Sequence, residues 1–180
     1  MNAIPHARPY VVAGLVAAGL LVAGSSHVRI AAAEGGTQVM LINSQTVKCL
    51  TIAGGVSTDN NVQALQFDCD DHPSRRWVLT PEGGEVYQLR NLQTGKCLTI
   101  AGGTNTDNNI TALQYDCDSH PSRRWRVADV TGSGVYQIRN VQTSKCLTIA
   151  GGTSTANNVT AVQYECDSHP SRRWTLRLKL

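Results

Sequence analysis

The groups in this sequence with chemistry to offer come in threes. Cys69, Cys117 and Cys166 each stand three residues ahead of a histidine: His72, His120 and His169. Cys-x-x-His is half of a zinc site, provided the sulfur is a free thiolate. Acids crowd the same segments, with Asp68, Asp70 and Asp71 in the first, Asp116 and Asp118 in the second, and Glu165 and Asp167 in the third. Glycoside hydrolysis needs two carboxylates at a set separation across a cleft. A short segment written three times, with its first acid varying between Asp and Glu, offers no evident cleft. No Gly-x-Ser-x-Gly elbow accompanies a histidine and an acid. An aromatic residue, Phe67, Tyr115 or Tyr164, lies two positions before each of these cysteines, and each segment closes on Arg-Arg-Trp at Trp77, Trp125 and Trp174. The expected reading is a chain without catalytic residues, and therefore not an enzyme.

One repeated unit must position these groups. Lys48–Trp77, Lys96–Trp125 and Lys145–Trp174 align without gaps over 30 residues, units one and two differing at six positions and units two and three at five. Repetition on this scale decides the architecture before secondary structure does. The step from Cys49 to Cys97 is 48 residues and from Cys97 to Cys146 is 49, the additional residue falling in the turn-like Ala128–Gly134. Within a unit, Tyr87–Asn91 alternates apolar and polar. Cys97–Ala101 puts Leu98 and Ile100 on one face and Cys97 and Thr99 on the other. Thr111–Cys117 and Arg124–Val127 complete four short strands, separated by Gly102-Gly103, Asn108-Asn109 and Pro121. About twelve strands with no helical period predict an all-β fold. A solenoid needs atypical ends, whereas here the last unit is as regular as the middle one. A closed, barrel-like fold with pseudo-threefold symmetry follows.

Composition bounds the rest. At about 100–200 residues per domain, 180 residues make one domain with an extension. The extension is the start: Val11–Gly24 is an unbroken apolar run of 14 residues behind Arg8, short for a span of about 20 and right for a signal-peptide core, with Ala31-Ala32-Ala33 ahead of Glu34. Residues 1–33 are read as a secretory signal peptide and 34–180 as the folded domain; a cut nearer Gly24 and an uncleaved anchor are the alternatives. Removal of Arg8 and Arg29 takes the formal charge from +3 to +1, which excludes holding nucleic acid by bulk charge. The expected protein is secreted, has no stable membrane span after signal removal, and keeps all six cysteines where disulfides persist. Six cysteines allow 15 pairings. Pairing inside each unit, Cys49 with Cys69, Cys97 with Cys117 and Cys146 with Cys166, respects the repeat and joins adjacent strands; the rival is the Cys-x-x-His metal half-site, which export disfavours. No metal and no cofactor is expected.

Three units of this length, each with Lys-Cys-Leu, a second cysteine 20 residues on and a Trp closing the last strand, resemble the ricin B-chain-like β-trefoil lectins, carbohydrate-binding module family 13. The resemblance spans Val39–Leu180. It implies a β-trefoil of three four-stranded repeats, a disulfide inside each and up to three shallow sugar sites. Three departures stand out. The family's Gln-x-Trp reads Arg-x-Trp here, at Arg75, Arg123 and Arg172. The family's sugar-binding Asp, two residues after the first cysteine, is Thr51, Thr99 and Thr148, and the Asn before its Gln is Ser74, Ser122 and Ser171. Sugar recognition needs an aromatic face for the C–H side of a pyranose and hydrogen-bonding groups for its hydroxyls. The candidate carbohydrate-binding residues are therefore Thr51, Phe67, His72 and Ser74; Thr99, Tyr115, His120 and Ser122; and Thr148, Tyr164, His169 and Ser171. The adjacent Arg could grip a carboxylate with two parallel bonds, making an acidic sugar one variant.

Each residue also has a structural reading. The tryptophans suit the core. Alternation along Leu65–Cys69 puts Leu65 and Phe67 on one half-buried face, so the aromatics serve as core or as site. The His-Pro and Asn-Asn pairs suit turns, and one Arg of each pair suits a surface ion pair. The expected function is a secreted, non-catalytic carbohydrate-binding protein whose partner is a glycan or polysaccharide. The alternative is a protein-binding trefoil, an inhibitor or interaction module whose sugar sites are lost. Oligomeric state is not legible.

Overall fold

The structure, a computed structural model, describes residues 36–179; the expected signal segment, residues 1–33, lies outside the described residues. Twelve strands form: β1 Thr37–Asn43, β2 Cys49–Ile52, β3 Ala64–Phe67, β4 Arg76–Gly83, β5 Val86–Asn91, β6 Cys97–Ile100, β7 Ala112–Tyr115, β8 Arg124–Asp129, β9 Val135–Asn140, β10 Cys146–Ile149, β11 Ala161–Tyr164 and β12 Trp174–Leu178. Strands β1, β4, β5, β8, β9 and β12 pair antiparallel in a closed ring, a six-stranded barrel without a free edge. The hairpins β2–β3, β6–β7 and β10–β11 branch from β1, β5 and β9. They touch one another through the bridges Gln63–Leu113, Leu65–Thr160 and Thr111–Val162. Barrel plus hairpin triplet is the expected β-trefoil.

The strands expected over Tyr87–Asn91 and Cys97–Ala101 differ by one residue, as Val86–Asn91 and Cys97–Ile100, and two others differ by more. The strand expected over Thr111–Cys117 is only Ala112–Tyr115. Its partner β6 begins at Cys97, opposite Tyr115, so Asp116 and Cys117 have nothing to pair with. The one expected over Arg124–Val127 runs to Asp129 because β9 pairs with it as far as Tyr136.

The inward alternation of every strand feeds one core, in which Leu50, Ile52, Leu98, Ile100, Leu147 and Ile149 pack with Trp77, Trp125 and Trp174. Each tryptophan is fully buried, as its position suggested, and its Nε1–H donates to the carbonyl of Leu50, Leu98 or Leu147 at 3.0, 2.9 and 3.0 Å. Each buries enough surface to contribute roughly 4–6 kcal/mol before entropy is charged against it. The disulfides are Cys49–Cys69, Cys97–Cys117 and Cys146–Cys166, with Cα atoms 5.1 Å apart in each. Each closes a loop that in a chain-entropy account contributes about 3 kcal/mol. With the sulfurs joined, Cys-x-x-His has no thiolate to offer a metal. No group of three metal-ligating residues is gathered among the described residues.

The repeats are locked to one another by buried amides. Gln66, Gln114 and Gln163 are completely buried. Each Oε1 accepts from a threonine of its own repeat, Thr46, Thr94 or Thr143, at 2.7 Å. Each Nε2 donates to two carbonyls of a neighbour: Gln66 to Ser154 and Ala156, Gln114 to Ser57 and Asp59, Gln163 to Asn105 and Asp107. The first repeat thus holds the third, the second holds the first, and the third holds the second. Outside this ring, Asn157 Nδ2 donates to Asp68 and Asn60 Nδ2 to Asp116, both at 2.7 Å, while Lys48 and Lys96 pair with the same two carboxylates.

Replacing Gln114→Met keeps the volume and strands the two carbonyls and the Thr94 hydroxyl. Unsatisfied buried groups cost enough that stability should fall by about 3 kcal/mol. Urea unfolding of the oxidised protein measures it, and a loss below about 1 kcal/mol would deny the ring its role. The hydrogen bond from Asn157, followed by that from Lys48, holds the Asp68 carboxyl below the ordinary carboxylate range. A carboxyl depressed by folding stabilises above its unfolded pKa, and that contribution is lost as pH falls through the folded value. Asn157→Ala should move the Asp68 titration, followed by carboxyl NMR, upward toward the ordinary Asp value, with Asp116 unmoved.

Candidate functional site

Each repeat carries a short 3₁₀ turn, Pro73–Arg75, Pro121–Arg123 or Pro170–Arg172, just ahead of its last strand. The local sequence dictates it. Proline supplies the missing N–H at the first position. The preceding histidine caps the turn, His120 Nδ1 accepting from Ser122 N at 3.2 Å. Asp118 Oδ1 accepts from His120 N at 2.8 Å. The turn folds over the outer side of β6, which is why Thr99 is buried although it faces away from Leu98 and Ile100.

At the centre is the Ser122 hydroxyl. Thr99 Oγ1 donates to it at 3.0 Å, Arg123 Nη1 donates at 2.9 Å, and His120 Nδ1 lies 2.8 Å away. A hydroxyl has one proton and two lone pairs. With the lone pairs taken by Thr99 and Arg123, its own proton goes to His120 Nδ1. The imidazole proton then sits on Nε2, on the opposite edge of the ring. The first and third repeats repeat the arrangement: Ser74 Oγ with Thr51 at 3.0 Å, Arg75 at 2.7 Å and His72 at 2.8 Å; Ser171 Oγ with Thr148 at 3.1 Å, Arg172 at 3.0 Å and His169 at 2.8 Å.

Held by this hydroxyl, the guanidinium lies over the aromatic ring. Arg75 Cζ is 4.5 Å from the Phe67 centroid, and Arg123 and Arg172 are 4.4 Å from those of Tyr115 and Tyr164. The Nε edge faces Asp70, Asp118 or Asp167 at 3.2, 3.4 and 3.5 Å, ion-pair contacts whose angles fall short of directed hydrogen bonds. The arginine therefore turns two of its donors inward. Its Nη2 makes no bond to the protein among the described residues, so a grip on a ligand carboxylate would have to use the Nη end. Among the described residues, nothing bonds the hydroxyl of Tyr115 or Tyr164.

In the second repeat these groups border an open cleft of about 320 Å³ lined by Tyr115, His120, Arg123, Leu113, Thr99, Ile100, the Gly102-Gly103 turn and Asn61. Gly103 has φ of +72°, and a Cβ there would stand 3.4 Å from both His120 Cε1 and Ser122 Oγ. That contact is close to ordinary packing distance, and it is the positive φ that favours glycine at the turn. Asn61 comes from the first repeat. Its φ of +67° and its N–H bond to the carbonyl of Gln114 bring it to the cleft of the second. Asn109 and Asn158 make the same bond to Gln163 and Gln66. The Asn-Asn pairs do form the left-handed turns expected of them; that the second Asn reaches the adjacent repeat's cleft had no sequence signal beyond its threefold recurrence.

Of the twelve candidate residues, the structure brings all four of each repeat together but at different depths. Ser74, Ser122 and Ser171 are completely buried, and Thr51, Thr99 and Thr148 are no more than 2 % exposed. All six turn their hydroxyls to one another, so they lie behind the surface and support it. Phe67, Tyr115 and Tyr164 are half buried, each beneath its arginine, and the histidines stand at the rim.

Ser122→Ala removes the acceptor for Thr99 and Arg123 and the donor to His120. Stability should drop by about 2 kcal/mol, and the His120 ring-nitrogen NMR signals should shift while those of His72 and His169 stay. Unmoved His120 signals would refute the assigned tautomer.

The family model of the ricin-type beta-trefoil lectin domain-like group matches residues 27–116, 85–164 and 121–179. Among solved structures, a designed threefold-symmetric protein, ThreeFoil, superposes with a TM-score of 0.74 at 22 % identity, over 79 % of this chain and 99 % of its own. An exo-beta-1,3-galactanase from Clostridium thermocellum gives 0.74 at 23 % identity over 79 % of this chain, which corresponds to only 30 % of the galactanase chain. The Macrolepiota procera ricin B-like lectin, solved in complex with lactose, gives 0.66 at 14 % identity over 79 % and 96 %. No curated protein matches the sequence.

Proposed function

The chain belongs to the ricin-type β-trefoil lectin domain-like family, and from that premise we propose that it is a secreted, non-catalytic carbohydrate-binding protein whose sugar contacts lie in the clefts bordered by the Arg-stacked aromatics. The observation that supports this most is the second-repeat cleft itself. It pairs an aromatic residue having a free hydroxyl with an outward-facing imidazole and an asparagine from the preceding repeat. Asparagine donates and accepts at fixed geometry, Nε2–H donates, and the tyrosine hydroxyl does either. That set suits the hydroxyls of a neutral sugar better than a carboxylate, because the arginine is already faced by Asp118. The contacts are thus Tyr115, His120 and Asn61, with Tyr164, His169 and Asn109, and Phe67, His72 and Asn158, as their equivalents. Thr99, Ser122 and their counterparts act through the arginine and histidine they hold. The lactose bound to one structural neighbour and the galactan-cleaving activity named for another agree with a glycan ligand. The apolar run Val11–Gly24, read as a signal-peptide core, and the three disulfides agree with export.

The three candidate sites are not equal. Phe67 lacks the hydroxyl of Tyr115 and Tyr164, and Val162 replaces Leu65 and Leu113. The second site should be strongest and the first weakest. Single shallow sites bind weakly, and three on one rigid body gain about 10²–10⁴ in avidity on a multivalent surface.

A glycan and polysaccharide panel tests the proposal, with Tyr115→Ala, His120→Ala and the Phe67→Ala/Tyr115→Ala/Tyr164→Ala triple variant beside the parent, all checked for native disulfides and unfolding midpoint. Binding by the parent, weakened about tenfold by each single variant and abolished by the triple, is the expected result. Absence of binding to every glycan would overturn it and favour the protein-binding alternative.

A further inference from the structure

We propose that the seam between the second and third repeats holds a separate site for a sulfate or phosphate ester. The barrel's outer face shows where the repeats differ. At equivalent positions the cross-strand pairs are Val78 opposite Arg90, Arg126 opposite Arg139, and Thr175 opposite Ile42. Like charges directly opposite on adjacent strands destabilise a sheet, and only one seam sets two arginines face to face. The turn beside that pair differs in step. Ser144 stands there, where the other two turns have Gly95 and Val47. Two guanidinium groups and an exposed hydroxyl therefore meet at this seam and at neither equivalent.

They also meet in a space of suitable size. Arg126, Arg139, Asn140, Val141 and Ser144 line a cleft of about 270 Å³. Arg139 Nε donates to the Ser144 carbonyl at 2.7 Å, which fixes the guanidinium with its terminal nitrogens uncommitted. Among the described residues, the only carboxylate within ion-pair distance of either arginine is Glu85, 3.7 Å from Arg126, and both partners are more than half exposed. A pair so exposed is worth little, so the seam keeps an excess positive charge. Asn140 is buried, its amide occupied by Ser122 and by its own turn; it shapes the wall and supplies no ligand contact. A tetrahedral oxyanion bridging Arg126 and Arg139, and accepting from the Ser144 hydroxyl, would relieve the like-charge pair through charge-assisted bonds. This site uses no residue of the aromatic clefts and stands or falls independently of sugar binding.

The test is an amide NMR titration of the oxidised chain with methyl phosphate and, in a second arm, methyl sulfate, at constant ionic strength set with sodium chloride. Saturable shifts centred on Arg126, Arg139 and Ser144 are expected. The stronger-binding arm identifies whether the dianionic phosphate or the sulfate ester is preferred. Arg126→Val and Arg139→Ile install the residues that equivalent seams already carry. Each should weaken binding about tenfold or more, the loss of a charge-assisted bond, while raising the melting temperature measured without the anion. Arg126→Gln serves as a second variant should Arg126→Val fold poorly. Shifts that rise linearly without saturation, that appear equally at Val78 and Arg90, or that persist in the variants would overturn the proposal.

Discussion

Each buried glutamine amide is the joint on which this trefoil closes. A β-barrel of six strands can be drawn from many sequences, but three short hairpins packed about an axis leave backbone carbonyls of the intervening loops pointing inward. The bonds they accept are part-buried, and a carbonyl left without a partner there costs roughly 1–3 kcal/mol, a sizeable part of a domain's net stability. Gln66, Gln114 and Gln163 each satisfy two such carbonyls in a neighbouring repeat and are themselves oriented by a threonine of their own. The bonds run in one direction around the axis. No repeat can satisfy its own loop, and none can bury its hairpin alone.

The candidate sites inherit this dependence. Asn61 reaches the cleft of the second repeat because its N–H is bonded to the carbonyl of Gln114, the residue whose side chain clamps the loop holding Asn61. One end of the cleft is therefore set by the closure between repeats. The other is set by the Ser122 hydroxyl, which fixes the arginine over Tyr115 and the tautomer of His120. A ligand placed between them would meet groups ordered before it arrives, and the ordering entropy has already been offset by burial elsewhere.

Much of this was legible in residue order. The repeat, the closed all-β class and the burial of Trp77, Trp125 and Trp174 followed from pattern, and the disulfide pairing from repeat symmetry. Depth was not legible. Thr99 and Ser122 look like surface polar residues because a strand's alternation and a Pro-Ser turn usually leave hydroxyls in water, yet the turn folds back over the strand and the two meet face to face. Spacing along the chain places them in one neighbourhood and says nothing about which layer they occupy. The stacking of Arg123 on Tyr115 was hidden for the same reason: both residues were singled out, but their contact is made across a loop. Asn61 was read correctly as a left-handed turn residue, and its second role required knowing which repeat abuts which.

The three units were held alike where side chains face the axis, the core or the Ser hydroxyl, since those positions are constrained by partners in the same and the adjacent repeat. Outward positions of the barrel strands have fewer partners, made within one repeat: Ile42 packs with Met40 and Cys49, and Arg90 and Arg139 each donate to a turn carbonyl. There Val78, Arg126 and Thr175 occupy one structural position, as do Ile42, Arg90 and Arg139. Threefold repetition thus supplies equivalent interior machinery, while the outer face is free to differ from seam to seam. A binding property that depends on the interior should appear three times with graded strength. One that depends on the outer face should appear once, where the substitutions on two strands and one turn coincide.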